Sequence, residues 1–342
     1  MLVHETDTPA GLRAFLAGKG TGRAPCRVSI SGQIWREDPA FYEGLQAGAP
    51  DVKVSSWQDP ERGQEVVRTD GWGCKWHFPG RYLDGQVIGH PLADWDAYRG
   101  YELPDPARHT DWAAVKRQVE ADHRKGRAAW GGVEHGFLYL KMTYLRGFEN
   151  FMIDVAERRA ELWELRDRIA DFWLETVRRY VEAGVDAVSF GDDLGHQNAL
   201  PMSPATWRDL LKGAYQRIYQ RCRQDGVIVY MHTDGWILDI IPDLLEAGVD
   251  MLNPQDLVNG LDNLRRLAKG KVSIDLDVDR QSVTVFGTPA EVDEHIRHCI
   301  EKLGSPRGGL MLTHGVYEGT PKDNIAACVQ AMQKYHDMWA RK

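Results

Sequence analysis

No stretch of the 342 residues approaches the ~20 consecutive apolar positions that a transmembrane helix needs. Residues 1–16 lack the basic start, apolar run and small-residue cleavage site of a secretory signal, so the expected address is cytoplasmic. Positive charge is not in excess either. The 42 Lys and Arg face 50 Asp and Glu, a net charge of −8, which argues against nucleic acid as a bulk partner. Cysteine is scarce: Cys26, Cys74, Cys222, Cys299 and Cys328 are scattered without a C-x-x-C pair. A Cys-rich structural zinc site and a thioredoxin-like redox motif therefore have no support, and reduced thiols are expected. No G-x-G-x-x-G follows any apolar run to favour a dinucleotide fold, and no solenoid-length repeat is visible.

What is present divides into two regions. Residues 50–108 are rich in Trp, Gly, Pro and Asp without helical period, and residues 71–78, Pro79-Gly80 and residues 81–88 read as a β-hairpin. From Thr110 onwards helical segments alternate with short apolar strands. The strand candidates are residues 128–133, 185–190, 227–231, 249–252, 272–276 and 309–313, with 27–30 as a seventh. Helices are expected over 111–125, 138–183 (with Trp163, Ile169, Phe172, Val177 and Val181 as one apolar stripe), after Ser203-Pro204, and over 236–247, 261–269, 290–303 and 322–339. One further strand completes a (β/α)8 barrel, which strands regularly separated by helices favour at this length. The whole chain, 1–342, is read as a single barrel domain, with 50–108 as an inserted hairpin and cover segment.

In such a barrel the chemistry sits at the carboxyl ends of the strands. The residues following the strand candidates are Glu134 and His135; Asp192, Asp193 and His196; His232 and Asp234; Asn253 and Gln255; Asp275 and Asp277; and His314. Each has a plain structural reading. Asp192 and Asp193 are common types for helix caps and turns, Asn253 before Pro254 suits a turn, and a lone His135 is more often packed or exposed than catalytic. Their coincidence on one rim points to joint function. His232 and Asp234, two apart at a strand end, share a face, and His314 on the last strand would join them beside the first. Two imidazoles and a carboxylate suit a catalytic zinc with an open fourth position; in the competing reading His232 transfers protons without metal.

The run Gly191-Asp192-Asp193-Leu194-Gly195, the helix start Ser203-Pro204-x-x-Trp207, His232-Thr233-Asp234-Gly235, the stretch from Glu246 to Pro254, and Phe286-Gly287-Thr288-Pro289 resemble the uroporphyrinogen decarboxylase-like family, together with the Gly308-Gly309 strand before His314. The resemblance covers roughly residues 90–340. It implies a (β/α)8 barrel and one of two chemistries: cofactor-free decarboxylation of a tetrapyrrole, or methyl transfer between a corrinoid (cobalamin) protein and an acceptor, often on zinc. The decarboxylase branch is similar to this chain only in part, because its Arg-rich N-terminal segment corresponds here to residues 28–36, with Arg36 as the single arginine. In the methyltransferase branch the zinc ligands run H-x-C plus a later Cys; here Asp234 and His314 stand near the two Cys positions.

The first expectation is thus a methyltransferase acting with a corrinoid protein or a small-molecule methyl acceptor. His232, Asp234 and His314 are its metal ligands, and Asp192, Asp193, His232 and Asp277 its catalytic groups. Glu134, His196, Asn253, Gln255 and Asp275 would bind substrate. Trp57, Trp72, Trp76 and Trp95 would cover the pocket or meet the corrinoid partner, unless they pack as core. The alternative is a metal-independent decarboxylase or lyase of a smaller carboxylate, with no cofactor; a barrel that only binds ligand is the third reading. Neither nucleic acid nor membrane is expected as a partner, and a homodimer is an assembly open to the chain.

Overall fold

A computed structural model describes residues 4–57, 65–79 and 85–340. Eight strands form one curled parallel sheet: β1 (Cys26–Ser31), β2 (Val52–Trp57), β6 (Trp130–Gly132), β7 (Ala187–Gly191), β8 (Ile228–Thr233), β9 (Met251–Pro254), β10 (Ser273–Asp277) and β11 (Leu310–Val316). They lie in the order β2-β1-β11-β10-β9-β8-β7-β6, which makes β2 the missing eighth strand and sets the last strand beside the first. β3 (Val66–Thr69), β4 (Lys75–Phe78) and β5 (Gln86–Gly89) form a separate antiparallel sheet. The expected hairpin is its β4–β5 pair, with Trp76 opposite Val87. The turn residues 80–84 lie outside the described residues.

Alternation along each strand sorts side chains between barrel interior and helix layer. Val28, Val188, Phe190, Leu252, Leu276 and Leu312 belong to the main core under the helices. Ala187, Ile228, Met251 and Met311 fill the floor of the interior, plugged by Leu12 and Phe15 of the helix Pro9–Leu16. Above that floor Asp275 pairs with Arg27 and accepts from Tyr230 Oη at 3.0 Å. The interior is filled by layers of side chains, and its top layer carries the polar groups.

Helix boundaries follow local chemistry. Thr288 caps Pro289–Leu303 with a reciprocal Glu291 contact, and Ser203 accepts from Thr206 N–H at 3.1 Å at another expected start. The helix expected from 236 begins at Ile241, where Pro242 suits the first turn. On Ala160–Ala183 the buried face runs through Leu162, Leu165, Ile169, Trp173 and Val177, so Trp163 lies off the stripe and under Arg158 instead. Trp72 is core, packed on Phe172 and Trp173 at 4.7 and 5.9 Å, and Trp95 sits beneath Arg146. Among the described residues no helix is long and apolar enough to cross a membrane.

Candidate active site

The strand carboxyl ends open into a cavity of about 780 Å³, covered by Trp76 and Phe78 of β4 and bordered by Tyr144 and Tyr317. His232, at the end of β8, directs Nδ1 at Asn253 Oδ1, 2.7 Å away on the neighbouring strand. Asn253 donates its amide N–H to the Asp275 carbonyl, so its oxygen must accept. The proton of the neutral ring therefore sits on Nδ1, and Nε2 offers a lone pair to the cavity. That nitrogen lies 3.4 Å from Asp234 Oδ1. A bare nitrogen facing a carboxylate invites a cation or a proton between them.

Across the mouth, His135 Nε2 lies 3.2 Å from Asp193 Oδ2, and the centroids of the His135 and His232 rings are 5.8 Å apart. Glycine at 191 permits this approach, since a Cβ there would stand 2.8 Å from His135 Nδ1. Burial works against the charged His135 ring, but the hydrogen bond and charge of Asp193 outweigh it and raise its pKa. In Asp193 burial is likewise outweighed by His135, and its pKa falls. Donor atoms of His135, Asp193 and His232 all lie within 4.8 Å of one another; His232, Asp234 and Asp277 form a second such set. Arg280 occupies that second set, donating to Asp234 at 2.8 Å and lying 3.1 Å from Asp277. Burial pushes the Asp277 carboxyl up to about 7, with Arg280 opposing and Asp234 adding to the rise.

On the far wall Glu134 accepts from Trp72 Nε1 at 3.0 Å and Lys141 Nζ at 2.7 Å, and its other oxygen lies 2.6 Å from His109 Nε2. Its own burial is overcome by His109 and Lys141, which hold the carboxyl at about 2. The loops after β7 and β8 interlock: Gly235 has φ +82°, and a Cβ there would collide with the Gly195 carbonyl at 2.1 Å. The glycines of both motifs are therefore required by packing.

Glu134, Asp193, His232 and Asp234 line the cavity as expected, Asp277 joins them through Arg280, and Asn253 stands behind His232. Gln255 accepts from Gly235 N–H at 2.8 Å and holds the β8 turn rather than a ligand. Four further expectations are corrected. Asp192 faces the helix layer, fully buried, where it accepts from the N–H groups of Leu138, Tyr139 and Leu140 and from Tyr215 Oη. Asp275 is sealed in the interior with Arg27. His196 lies exposed on the outer loop beside Phe148. His314 shares the parity of Leu310, Leu312 and Val316 and is fully buried beneath the helices, outside both His232 donor sets. Burial lowers its pKa to about 4.

Sequence reasoning passed over His135 and missed Lys141, Arg280, Tyr144 and Tyr317. Arg280 carried a signal, standing just beyond a strand end that bears Asp275 and Asp277. Lys141 carried none, being one of two cations, with Arg146, on a short helix that follows no motif. For the expected zinc, the His135, Asp193 and His232 donors suit the ion chemically, and the Asn253 bond orients one of these ligands as an outer-shell partner does. The Asp234–Asp277 set fits a dication poorly, because Arg280 already neutralises it.

The family described as Uroporphyrinogen decarboxylase (URO-D) matches residues 68–335. Uroporphyrinogen decarboxylase of Paraburkholderia phytofirmans is 28% identical over 182 residues, covering 50% of this chain and 47% of that protein. Its namesake from Parasynechococcus marenigrum is 26% identical over 173 residues, covering 48% and 46%. The chain thus spans about half the length of the curated relatives it matches. A solved methyltransferase from Methanosarcina mazei superposes with a TM-score of 0.67 at 16% identity, over 96% of this chain and 99% of that one, and shares the fold. With most of its barrel matched by one family, the chain belongs to the uroporphyrinogen decarboxylase (URO-D) family.

Proposed function

We propose that the protein is a methyltransferase that binds zinc through His135, Asp193 and His232 and transfers a methyl group from a corrinoid protein to a small-molecule acceptor. The observation that carries this reading is the three-donor set at the cavity mouth, with the His232 tautomer dictated by Asn253. The methyltransferase name of the Methanosarcina mazei protein is in keeping with it. Zinc there would supply Lewis-acid activation of the acceptor. His232 presents Nε2, Asp193 supplies the compensating charge, and Asp234 Oδ1 stands 3.4 Å from the imidazole as a proton acceptor for the incoming group. Arg280 holds the Asp234 carboxylate in place through contacts at 2.8 and 3.0 Å. Trp76 and Tyr144, whose rings meet edge to face at 5.0 Å, narrow the mouth against water.

A second reading, metal-free decarboxylation, is favoured by one feature: a carboxyl held up to about 7 at Asp277 beside a guanidinium. There Arg280 would pair with the substrate carboxylate and Asp277 would protonate the carbanion left by CO2. The curated relatives bear decarboxylase names. The test combines metal analysis with two assays. Replacing His135 or His232 by Ala removes one equivalent of zinc and abolishes demethylation of methylcobalamin with a thiol, phenol or amine acceptor. Unchanged zinc content in both variants overturns the metal reading, and CO2 release from a carboxylate panel without corrinoid or metal favours the second.

A further inference from the structure

A second cluster of metal-ligating side chains lies behind the sheet, away from the cavity. Asp256 opens the helix Asp256–Asn259 directly after β9, and His295 and Cys299 stand one turn apart on one face of the helix Pro289–Leu303. Asp256 and Cys299 are 1% and 0% exposed. His295 Nε2 lies 2.7 Å from Asp256 Oδ2, Cys299 Sγ lies 3.9 Å from the same oxygen, and Cys299 Sγ to His295 Nε2 is 3.7 Å. Zinc bonds of about 2.0–2.3 Å in a tetrahedron separate such donors by about 3.3–3.7 Å, so the His–Asp edge has to open from 2.7 Å and the Cys–Asp edge to close slightly from 3.9 Å.

Two further observations belong to the same layer. His314, fully buried and near enough to Asp256 for that charge to act on its ring, has an Nε2 with no hydrogen-bond partner among the described residues. Cys328, on the helix Lys322–Tyr335, also feels the Asp256 charge. A buried imidazole nitrogen without a partner is costly and asks for an explanation.

We propose that Asp256, His295 and Cys299 form a structural zinc site of three protein donors that anchors the segment carrying Arg280 to the barrel. The link to that segment is direct. Asp256 Oδ2 accepts from Asp279 N–H at 3.0 Å, and the next residue, Arg280, reaches into the cavity to bridge Asp234 and Asp277. The mixed N, O and S donors suit zinc, and the burial of Asp256 and Cys299 keeps the ion away from the substrate cavity. Loading breaks the Cys299 S–H bond, forms a zinc–sulfur bond and releases the thiol proton to solvent, with no change of oxidation state. This site depends in no way on the methyl-transfer reading, whose ligands include no thiol.

The sulfur makes the test selective. The intact protein, stripped with a chelator and reloaded with Co(II), shows a near-ultraviolet thiolate-to-cobalt charge-transfer band. That band is lost in Cys299→Ser and kept in His232→Ala. Zinc-loaded wild type shows a sulfur neighbour at about 2.3 Å by X-ray absorption, and its melting temperature rises on loading. Absence of both the band and the sulfur neighbour in wild type overturns the proposal, leaving a hydrogen-bonded His–Asp pair; so does a band that survives Cys299→Ser. Should that variant fail to fold, the wild-type absorption measurement decides alone.

Discussion

Replacing Asp192 by Asn separates the two adjacent aspartates that sequence alone makes look like a catalytic pair. The Asp192 carboxylate serves four donors: Oδ2 accepts from Leu138 N–H at 3.1 Å, Tyr139 N–H at 2.6 Å and Tyr215 Oη at 2.6 Å, and Oδ1 accepts from Leu140 N–H at 2.9 Å. These amides begin the helix Tyr139–Arg146, so the carboxylate does the work of a cap from another strand. In the asparagine variant one oxygen can serve the Oδ2 side, but the side-chain NH2 then faces the Leu140 N–H, donor against donor. One buried amide is left unsatisfied, at about 1–3 kcal/mol, and the remaining bonds lose their charge assistance. The expected loss is about 2–4 kcal/mol by urea unfolding at unchanged m, or roughly 2 °C of melting temperature per kcal/mol for a chain of this size. Zinc content, and any turnover below the transition, stay at the wild-type level. Asp193→Asn does the reverse, sparing stability and lowering zinc affinity. An Asp192→Asn protein of unchanged midpoint that has lost zinc or turnover refutes this assignment and restores Asp192 to the chemistry.

Asn253→Ala, which leaves the His232 tautomer unselected, should weaken zinc binding at the cavity by about 10–100-fold in a competition titration with a chromophoric chelator; full affinity would show that Asn253 orients nothing. Arg280→Gln frees Asp234 and Asp277, so calorimetric titration should reveal an additional or tighter divalent cation at His232, Asp234 and Asp277, and an identical isotherm would mean that Arg280 does not compete. His314 has a folded pKa of about 4, below the usual 6.5, so its neutral ring favours the fold fully above pH 6.5 and that contribution is lost as pH falls from 6.5 towards 4. The contribution is about 3 kcal/mol, seen as an acid limb of the urea midpoint in chelator-stripped protein that flattens in His314→Asn. Parallel limbs in the two proteins would count against a neutral buried ring.

Much of the architecture was readable without coordinates, because apolar runs separated by helical periods leave few topologies once parallel crossovers are right-handed. Composition and turn residues mark seven strands and the antiparallel β4–β5 pair; the barrel requires an eighth strand, but nothing in the sequence locates it at β2. The rim, too, was foreseeable as a region, since the strand ends carry Glu134, Asp193, His232, Asp234 and Asp277. What the amino-acid order left open was the phase. Strands of a parallel sheet are buried on both faces, so no hydrophobic alternation reveals which of two neighbours faces the barrel interior. Asp192 and Asp193 differ by one residue and end on opposite sides of the sheet; His314 shares the helix-facing parity of Leu312 and so leaves the metal set. Arg280, Lys141 and His135 reach the cavity from a loop, a helix and a turn, and meet partners remote in the chain through a geometry that only packing can decide. Sequence determined the barrel and the end of it where chemistry gathers, and tertiary structure decided which side chains meet there, because one residue of register turns a side chain by half a turn.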